Sequence, residues 1–251
     1  MFLHADRDGD GPPIVLVHGF TQTRRCWGPE AADLATDHEV IRVDAPGHGR
    51  SADILAGLRT GGRLIADQGG EATYLGYSMG ARLCLHLALS NPELVRGLVL
   101  LSGTAGIEDP DERAQRRDQD MRTAARIEAE GLEAFLDAWL AQPLFAGLSE
   151  ESAFRAERLE NTVTGLMSSL QQAGTGSQDP SWHRLSGLTM PVLVLAGERD
   201  EKFAALARRM ADEIGANATL ALIPDAGHAA HLEQPRAFLD VLRPWLAEHG
   251  L

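Results

Sequence analysis

Six short runs of β-branched and leucine residues recur along the chain and alternate with stretches of helical periodicity. Runs that are apolar throughout are typical of parallel strands covered on both faces, because neither face of such a strand meets water. The pattern predicts an α/β fold, with a mostly parallel sheet and helices on both faces. The runs cover residues 14–17, 40–43, 72–76, 97–102, 192–196 and 219–223.

The stretch 104–183 contains no strand-like run, and its periodicity is helical. Asp109 and Pro110 form a helix start, with Asp as the N-cap residue and Pro at the first helical position. The apolar residues of 132–140 follow the spacing of an amphipathic helix, and two more helices are expected around 154–159 and 163–170. We therefore predict a helical cap over 104–183, inserted into a core formed by 1–103 and 184–251.

Composition and charge narrow the classes of function. The chain has 251 residues, 44% of them hydrophobic, which is enough for one large core. A formal net charge of −13 repels nucleic acid and anionic lipid, so no nucleic-acid partner is expected. No apolar run approaches the roughly 18 residues of a membrane span, and residues 1–11 lack the features of a secretory signal. We expect a cytoplasmic protein in which Cys26 and Cys84 are reduced, and the oligomeric state stays open.

The third run leads directly into the motif Gly-Tyr-Ser-Met-Gly at 76–80. A serine between two glycines at a strand-to-helix junction is the nucleophile-elbow pattern, in which a strained turn projects the hydroxyl above the sheet. The flanking glycines let neighbouring backbone pass closely. We predict that Ser78 is a nucleophile or part of a base; the alternative is a chance motif in a glycine-rich chain. The stretch 57–70 before this run is interpreted as a loosely specified connection.

Partners for such a serine follow the two last runs. A serine hydroxyl is barely ionised at neutral pH and needs a histidine base, and the histidine needs a buried carboxylate to fix its tautomer. Asp200 and His228 come directly after predicted strands, in the order nucleophile, acid, histidine. They are the predicted acid and base. Glu198 and Asp225 are the competing acids, and His231 is the competing base.

Two backbone amides are expected to form an oxyanion hole. Met79 follows the nucleophile, and Phe20 lies in the His-Gly-Phe turn after the first run. His18 and His48 are interpreted as residues that hold their loops. No cluster of His, Asp or Glu has metal-ligand spacing, and no glycine-rich loop precedes a helix with a phosphate-binding lysine. We therefore expect neither a metal nor another cofactor.

Further segments extend these motifs into a likeness that covers nearly the whole chain. They are 76–82, 102–107, 112–117, Trp139 with 143–145, 174–176 with Trp182, 197–203 and 228–235. Together they resemble the α/β-hydrolase superfamily, whose fold serves hydrolases, lyases and non-enzymatic receptors. Within it the chain resembles the 2-succinyl-6-hydroxy-2,4-cyclohexadiene-1-carboxylate synthases, lyases of menaquinone biosynthesis. The cap segments are the more specific part of the likeness.

The resemblance implies a small anionic substrate and residues that would bind it. At the matching positions Arg82, Arg116 and Arg158 would bind substrate carboxylates, for which guanidinium groups are suited because they donate in bidentate fashion. Trp139 would line the same pocket, and Tyr77 would pack beside the nucleophile. The alternatives are that Arg116 is a solvated charge on a polar helix and that Trp139 belongs only to the core of the cap.

The resemblance also implies a reaction. Ser78 and His228 would act as a base that removes a ring proton, after which pyruvate leaves and no acyl-enzyme forms. One alternative is a serine carboxylic-ester or carbon–carbon bond hydrolase, in which a covalent intermediate forms. A second alternative is a ligand receptor that keeps the three residues for binding, although no partner-docking tail supports it.

Overall fold

The computed structural model describes residues 2–251. Its seven strands are β1 (Ala5–Asp8), β2 (Pro13–Val17), β3 (Glu39–Val43), β4 (Ala72–Tyr77), β5 (Val95–Leu101), β6 (Val192–Gly197) and β7 (Ala218–Ile223). They form one sheet in the order β1-β3-β2-β4-β5-β6-β7. Only β1 runs antiparallel to its neighbour β3, whereas all other pairs are parallel. The six predicted runs each overlap one of the parallel strands.

Helices cover both faces of this sheet, which confirms the predicted fold class. They are α1 (Gly28–Leu34), α2 (Leu58–Gly69), α3 (Met79–Ser90), α4 (Pro110–Glu130), α5 (Leu132–Leu140), α6 (Arg155–Arg158), α7 (Val163–Ala173), α8 (Glu201–Ile214), α9 (Ala230–Glu233) and α10 (Pro235–His249). Helices α2, α3 and α8 pack on one face of the sheet, and α1 and α10 pack on the other. Every residue of β4 and β6 is buried, because these strands are covered on both sides.

The expectation for the stretch 57–70 was wrong, because α2 occupies almost all of it. Gly61 and Gly62 lie in the middle of this helix, where glycine lowers helix propensity. Both face α3: a Cβ at Gly61 would lie 2.7 Å from Leu83 Cδ2, and one at Gly62 would lie 2.9 Å from the Leu83 carbonyl oxygen. Close helix packing therefore needs these glycines and compensates for their low propensity.

Four helices lie between β5 and β6, in the stretch predicted to be a cap. Asp109 caps α4, since its side chain accepts hydrogen bonds from the amides of Asp111 and Glu112. Helices α4, α5 and α7 bury a small apolar cluster of their own, which includes Ile127 and Phe135. The helix expected around 154–159 is only the single turn of α6, which Phe154 precedes in a left-handed conformation. Within the described residues, no helix is long and apolar enough to cross a membrane.

Candidate active site

A sharp turn between β4 and α3 carries Ser78. Its backbone has φ 53° and ψ −103°, a region that non-glycine residues rarely adopt. A Cβ at Gly76 would overlap the backbone of Gly80, and a Cβ at Gly80 would overlap the carbonyl of Val17. The Ser78 amide donates to the Leu101 carbonyl at the end of β5, 2.8 Å away. The two glycines and this bond hold the serine in the strained conformation of a nucleophile elbow.

Ser78, His228 and Asp200 form a continuous hydrogen-bonded chain. Ser78 Oγ lies 3.0 Å from His228 Nε2, and His228 Nδ1 lies 2.8 Å from Asp200 Oδ2. The histidine and aspartate side chains are only 4% and 9% exposed. With Nδ1–H donating to the carboxylate, Nε2 is left to accept the serine proton. The arrangement can therefore remove a proton from a bound molecule or activate the serine for attack.

The competing acids and base lie outside this chain of hydrogen bonds. Asp225 is exposed and pairs with Arg199, and Glu198 is also exposed. His231 is buried against the rings of Tyr77 and Trp27, at centroid distances of 4.5 and 4.8 Å. Burial lowers the pKa of His231 to about 3. None of these three hydrogen-bonds to Ser78 or to the imidazole of His228.

Phe20 and Met79, whose amides are assigned to the oxyanion hole, both line the cavity above Ser78. Within residues 2–251, neither the Phe20 nor the Met79 amide donates to a protein acceptor. The turn that presents Phe20 is held by His18, whose Nδ1–H donates to the Gly19 carbonyl at 2.8 Å and whose Nε2 accepts from the Ala45 amide at 3.1 Å. Burial lowers the pKa of His18 to about 4, so the ring is neutral and serves the loop.

A cavity of about 900 Å³ opens above the serine, between the sheet and the cap helices. All five residues assigned to substrate binding line it: Tyr77, Arg82, Arg116, Trp139 and Arg158. Sequence reasoning did not assign several further residues of its wall, namely Arg126, Phe145, Trp182, Lys202, Phe203 and Arg209. A signal was available for four of them, because Phe145, Trp182, Lys202 and Phe203 all lie in segments that carry the family likeness.

Two of the arginines in the cavity are buried without a carboxylate partner. Arg82 Nη1 donates to the Ala173 carbonyl at 2.6 Å, and Arg158 donates to the Ala153 carbonyl and to Thr21 Oγ1. Neither forms an ion pair with any acidic side chain that the structure describes. Burial lowers the pKa of Arg82 to about 10 and also lowers that of Arg158. A buried guanidinium is costly without a counter-ion, so the cavity is suited to an anion.

Arg116 differs from these two because it has a partner within the protein. Its Nε lies 2.8 Å from Oδ1 of Asp120, one turn along α4, and about a third of its side chain is exposed. The buried Asp120 also accepts a hydrogen bond from the Gly176 amide at 3.0 Å. The carboxylate thus holds the Nε side of Arg116, and the guanidinium still lines the cavity. Arg116 is therefore not a fully solvated charge.

Aromatic residues also line the cavity. Trp139 stacks on Phe135 at 5.6 Å and meets Phe20 edge to face at 5.4 Å, so it belongs both to the cap core and to the cavity. Tyr77 packs beside His228, with ring centroids 5.5 Å apart. Across residues 2–251, no group of three His, Cys, Asp or Glu side chains is arranged as a metal site.

A model of the protein family described as alpha/beta hydrolase matches residues 14–241. The chain belongs to this family. It is 35% identical to the putative 2-succinyl-6-hydroxy-2,4-cyclohexadiene-1-carboxylate synthase of Bacillus subtilis, over 93% of this chain and 89% of that protein. It is 34% identical to the synthase of that name from Salmonella paratyphi C, over 96% and 98% of the two chains.

Solved structures agree with this placement. MenH from S. aureus superposes with a TM-score of 0.90 at 29% identity, over 100% of this chain and 99% of that one. A thermophilic esterase from Thermogutta terrifontis, with malate bound, superposes with a TM-score of 0.86 at 25% identity, over 99% and 94% of the two chains. The resemblance inferred from the motifs is therefore confirmed, both for the superfamily and for the synthase family within it.

Proposed function

We propose that this protein is a lyase of menaquinone biosynthesis. It eliminates pyruvate from 2-succinyl-5-enolpyruvyl-6-hydroxy-3-cyclohexene-1-carboxylate and gives 2-succinyl-6-hydroxy-2,4-cyclohexadiene-1-carboxylate. The observation that carries the proposal is the pair of buried arginines, Arg82 and Arg158, that face the cavity beside Ser78 without a carboxylate partner. The names of relatives that match over nearly the full chain support the same reaction. We further propose that the enzyme works in the cytoplasm without a cofactor.

The charge distribution suits a substrate with several carboxylates. The whole chain has a formal net charge of −13, so its long-range field repels such a molecule. Arg82, Arg116 and Arg158 concentrate positive charge in the cavity, where burial reduces screening by water. Guanidinium groups donate two parallel hydrogen bonds to a carboxylate, which fixes its orientation as well as its position.

Proton abstraction is the task of the triad in this reaction. His228 Nε2, through the Ser78 hydroxyl, removes a ring proton, and Asp200 stabilises the imidazolium that results. The electron pair of the broken C–H bond enters the ring system as the C–O bond to the enolpyruvyl group breaks. That group leaves as the enolate of pyruvate, and the proton that the base removed balances its conversion to pyruvate. The Phe20 and Met79 amides would stabilise the enolate-like negative charge that develops.

Hydrolysis through an acyl-serine is the second candidate, because the elbow, the triad and the free amides also suit attack on an ester. The esterase from Thermogutta terrifontis has a similar structure. A receptor function has less support, because the relatives are named as enzymes. Mass spectrometry of the intact protein during turnover separates the first two: elimination leaves Ser78 unmodified, whereas an accumulating acyl adduct on Ser78 would favour hydrolysis.

Arg116→Ala tests substrate recognition apart from chemistry. A charge-assisted contact contributes about 1.5–3 kcal/mol, so kcat/KM for the carboxylate-rich substrate should fall about ten- to a hundredfold. A small neutral ester uses only the triad and the amides, and any side activity on it should be unchanged. Ser78→Ala should abolish both activities.

Arg122→Ala is the matched control, because Arg122 is exposed on the same helix and does not line the cavity. It should leave both activities intact. Thermal melting must accompany the kinetics, since Arg116→Ala leaves the buried Asp120 without its partner. If Arg116→Ala left both activities unchanged, Arg116 would have no part in substrate binding, and the charge argument for a polyanionic substrate would rest on Arg82 and Arg158 alone.

A further inference from the structure

The carboxylate of Glu233, at the end of α9, holds the loop that carries His228. Oε2 accepts from the Gly227 amide at 2.7 Å, and Oε1 accepts from the Ala229 amide at 3.1 Å. These two amides lie immediately before and after the histidine. Hydrogen bonds to an ionised carboxylate are roughly twice as strong as neutral ones, so this is a firm attachment for a loop without regular structure.

The carbonyl of the same histidine is held from another element. Ser102, directly after β5, donates its hydroxyl to the His228 carbonyl oxygen at 2.9 Å. Among the described residues, Glu233 forms no ion pair with a basic side chain. Its oxygens are therefore committed to the two amides, and its role is centred on the loop rather than on a surface charge.

The cap reaches the same carboxylate. A Cβ placed on Gly147 would overlap the Glu233 carboxylate, so the backbone of this cap segment lies directly on it. Two residues earlier, the ring of Phe145 meets the ring of His228 at a centroid distance of 6.5 Å, nearly edge to face. The cap therefore contacts the histidine loop twice, once through the imidazole and once through Glu233.

We propose that Glu233 is a positioning residue that aligns His228 with Ser78, and that the cap is coupled to this alignment through the contact between Gly147 and Glu233. A shift of about 1 Å in a reacting group can cost about a hundredfold in rate. Asp200 orients the ring through Nδ1, and the backbone held by Glu233 and Ser102 sets where the ring lies. Because the alignment serves any reaction that uses this base, the inference does not depend on the lyase assignment.

Glu233→Ala should lower kcat about ten- to a hundredfold on the cyclohexene substrate and on a neutral ester alike, with KM changed less than about twofold. Glu233→Gln keeps one carbonyl acceptor for one of the two amides, so it should recover part of the lost kcat. If Glu233 were needed only for folding, its substitution would lower the melting temperature and the amount of folded enzyme instead. It would not lower kcat in the order wild type, Glu233→Gln, Glu233→Ala. Unchanged kcat in Glu233→Ala, or a loss confined to KM, would overturn the proposal.

A double-mutant cycle tests the coupling to the cap. Gly147→Ala pushes a methyl group onto the carboxylate and should lower kcat severalfold in the wild-type background. In the Glu233→Ala background the methyl group has space, so the same change should have no further effect. Gly187→Ala is the matched control, because a Cβ there meets nothing within 4 Å. Equal losses in both backgrounds would refute the coupling, as would an unchanged kcat in Gly147→Ala.

The folded fraction of each variant, measured by circular dichroism, is used to correct kcat. If Glu233→Ala does not fold, Glu233→Gln and Gly147→Ala still decide the matter, because both must lose kcat at constant KM. The neutral ester separates this inference from the proposed function. If the lyase assignment failed, the Glu233 variants would still lose kcat on the ester.

Discussion

Ser78 shows how a strained residue is maintained by its neighbours. Holding a non-glycine residue in such a sparsely populated conformation costs about 1–3 kcal/mol. The cost is offset by the hydrogen bond from its amide to Leu101 and by the close packing that Gly76 and Gly80 permit. In return the hydroxyl lies at the start of α3, within hydrogen-bond distance of His228.

Asp200→Asn should lower kcat by on the order of 10³–10⁴-fold, because an amide does not fix the required imidazole tautomer or stabilise the imidazolium. Asp225→Asn is the matched control. Asp225 is exposed with a φ of 58°, a conformation that asparagine tolerates, so this variant should keep wild-type kcat. Steady-state kinetics with circular dichroism of both variants checks the assignment. Near-normal turnover in Asp200→Asn combined with loss in Asp225→Asn would contradict it.

Sequence order was sufficient to propose the triad, because each member directly follows a strand at the same edge of the sheet. The partners of the arginines were harder to predict from the sequence. The pair of Arg116 with Asp120 has the i, i+4 spacing that a helix brings together, so it could have been predicted. Arg82 and Arg158 lack a carboxylate partner because of how side chains from several elements pack around them. No local sequence pattern predicts this. The same applies to Glu233, whose contact with Gly147 joins distant parts of the chain.

At the scale of elements, the parallel strands were predictable because they are apolar on both faces. β1 was missed for the opposite reason: its sequence Ala-Asp-Arg-Asp is mostly charged. Charged residues are typical of edge strands, where they discourage pairing with other chains, but they remove the apolar signal. Helix α2 was missed because its glycines are a tertiary feature, required by the surface of α3 and unfavourable by propensity alone.

Gly62→Ala distinguishes tertiary packing from helix propensity by the sign of its effect. Propensity alone predicts a gain of about 0.5–1 kcal/mol in the free energy of unfolding. The structure predicts a loss of about 1–3 kcal/mol instead, because the new methyl group would lie 2.9 Å from the Leu83 carbonyl oxygen and 3.1 Å from the Leu87 amide nitrogen. Urea unfolding measures the difference. Thr60→Ala, at an exposed position of the same helix, is the control, and a stabilised Gly62→Ala variant would contradict the packing argument.

For the whole molecule, buried titratable groups link stability to pH in two opposite directions. Burial lowers the pKa values of His18 and His86 to about 4 and those of His48 and His231 to about 3. Burial also raises the pKa of Glu30 to about 7. The folded protein therefore resists protonation of four histidines and resists ionisation of one glutamate. Each unit of pKa difference from the unfolded chain corresponds to about 1.4 kcal/mol.

The free energy of unfolding should decrease as the pH falls from about 6.5 towards 4. Over that range the unfolded chain binds protons on His18, His48, His86 and His231, whereas the folded protein does not. Glu30 acts in the other direction, because the folded protein keeps its proton up to about pH 7 and the unfolded chain releases it above about 4.5. Four histidines, each with a pKa shift at least as large as that of Glu30, outweigh one glutamate, so the net change on acidification is a loss of stability.

Urea unfolding at pH 7.5 and 5.0, for the wild type and two variants, tests this balance. His231→Phe should reduce the loss of stability between the two pH values, because phenylalanine can pack against Trp27 and Tyr77 and binds no proton when unfolded. Glu30→Gln should stabilise the protein at pH 7.5 by on the order of 2 kcal/mol and by less at pH 5.0, where the folded protein already carries a neutral side chain. Equal wild-type stability at both pH values would contradict the argument. So would a His231→Phe variant whose stability falls with pH as steeply as that of the wild type, since the neutral buried histidine would then have no part in the acid sensitivity.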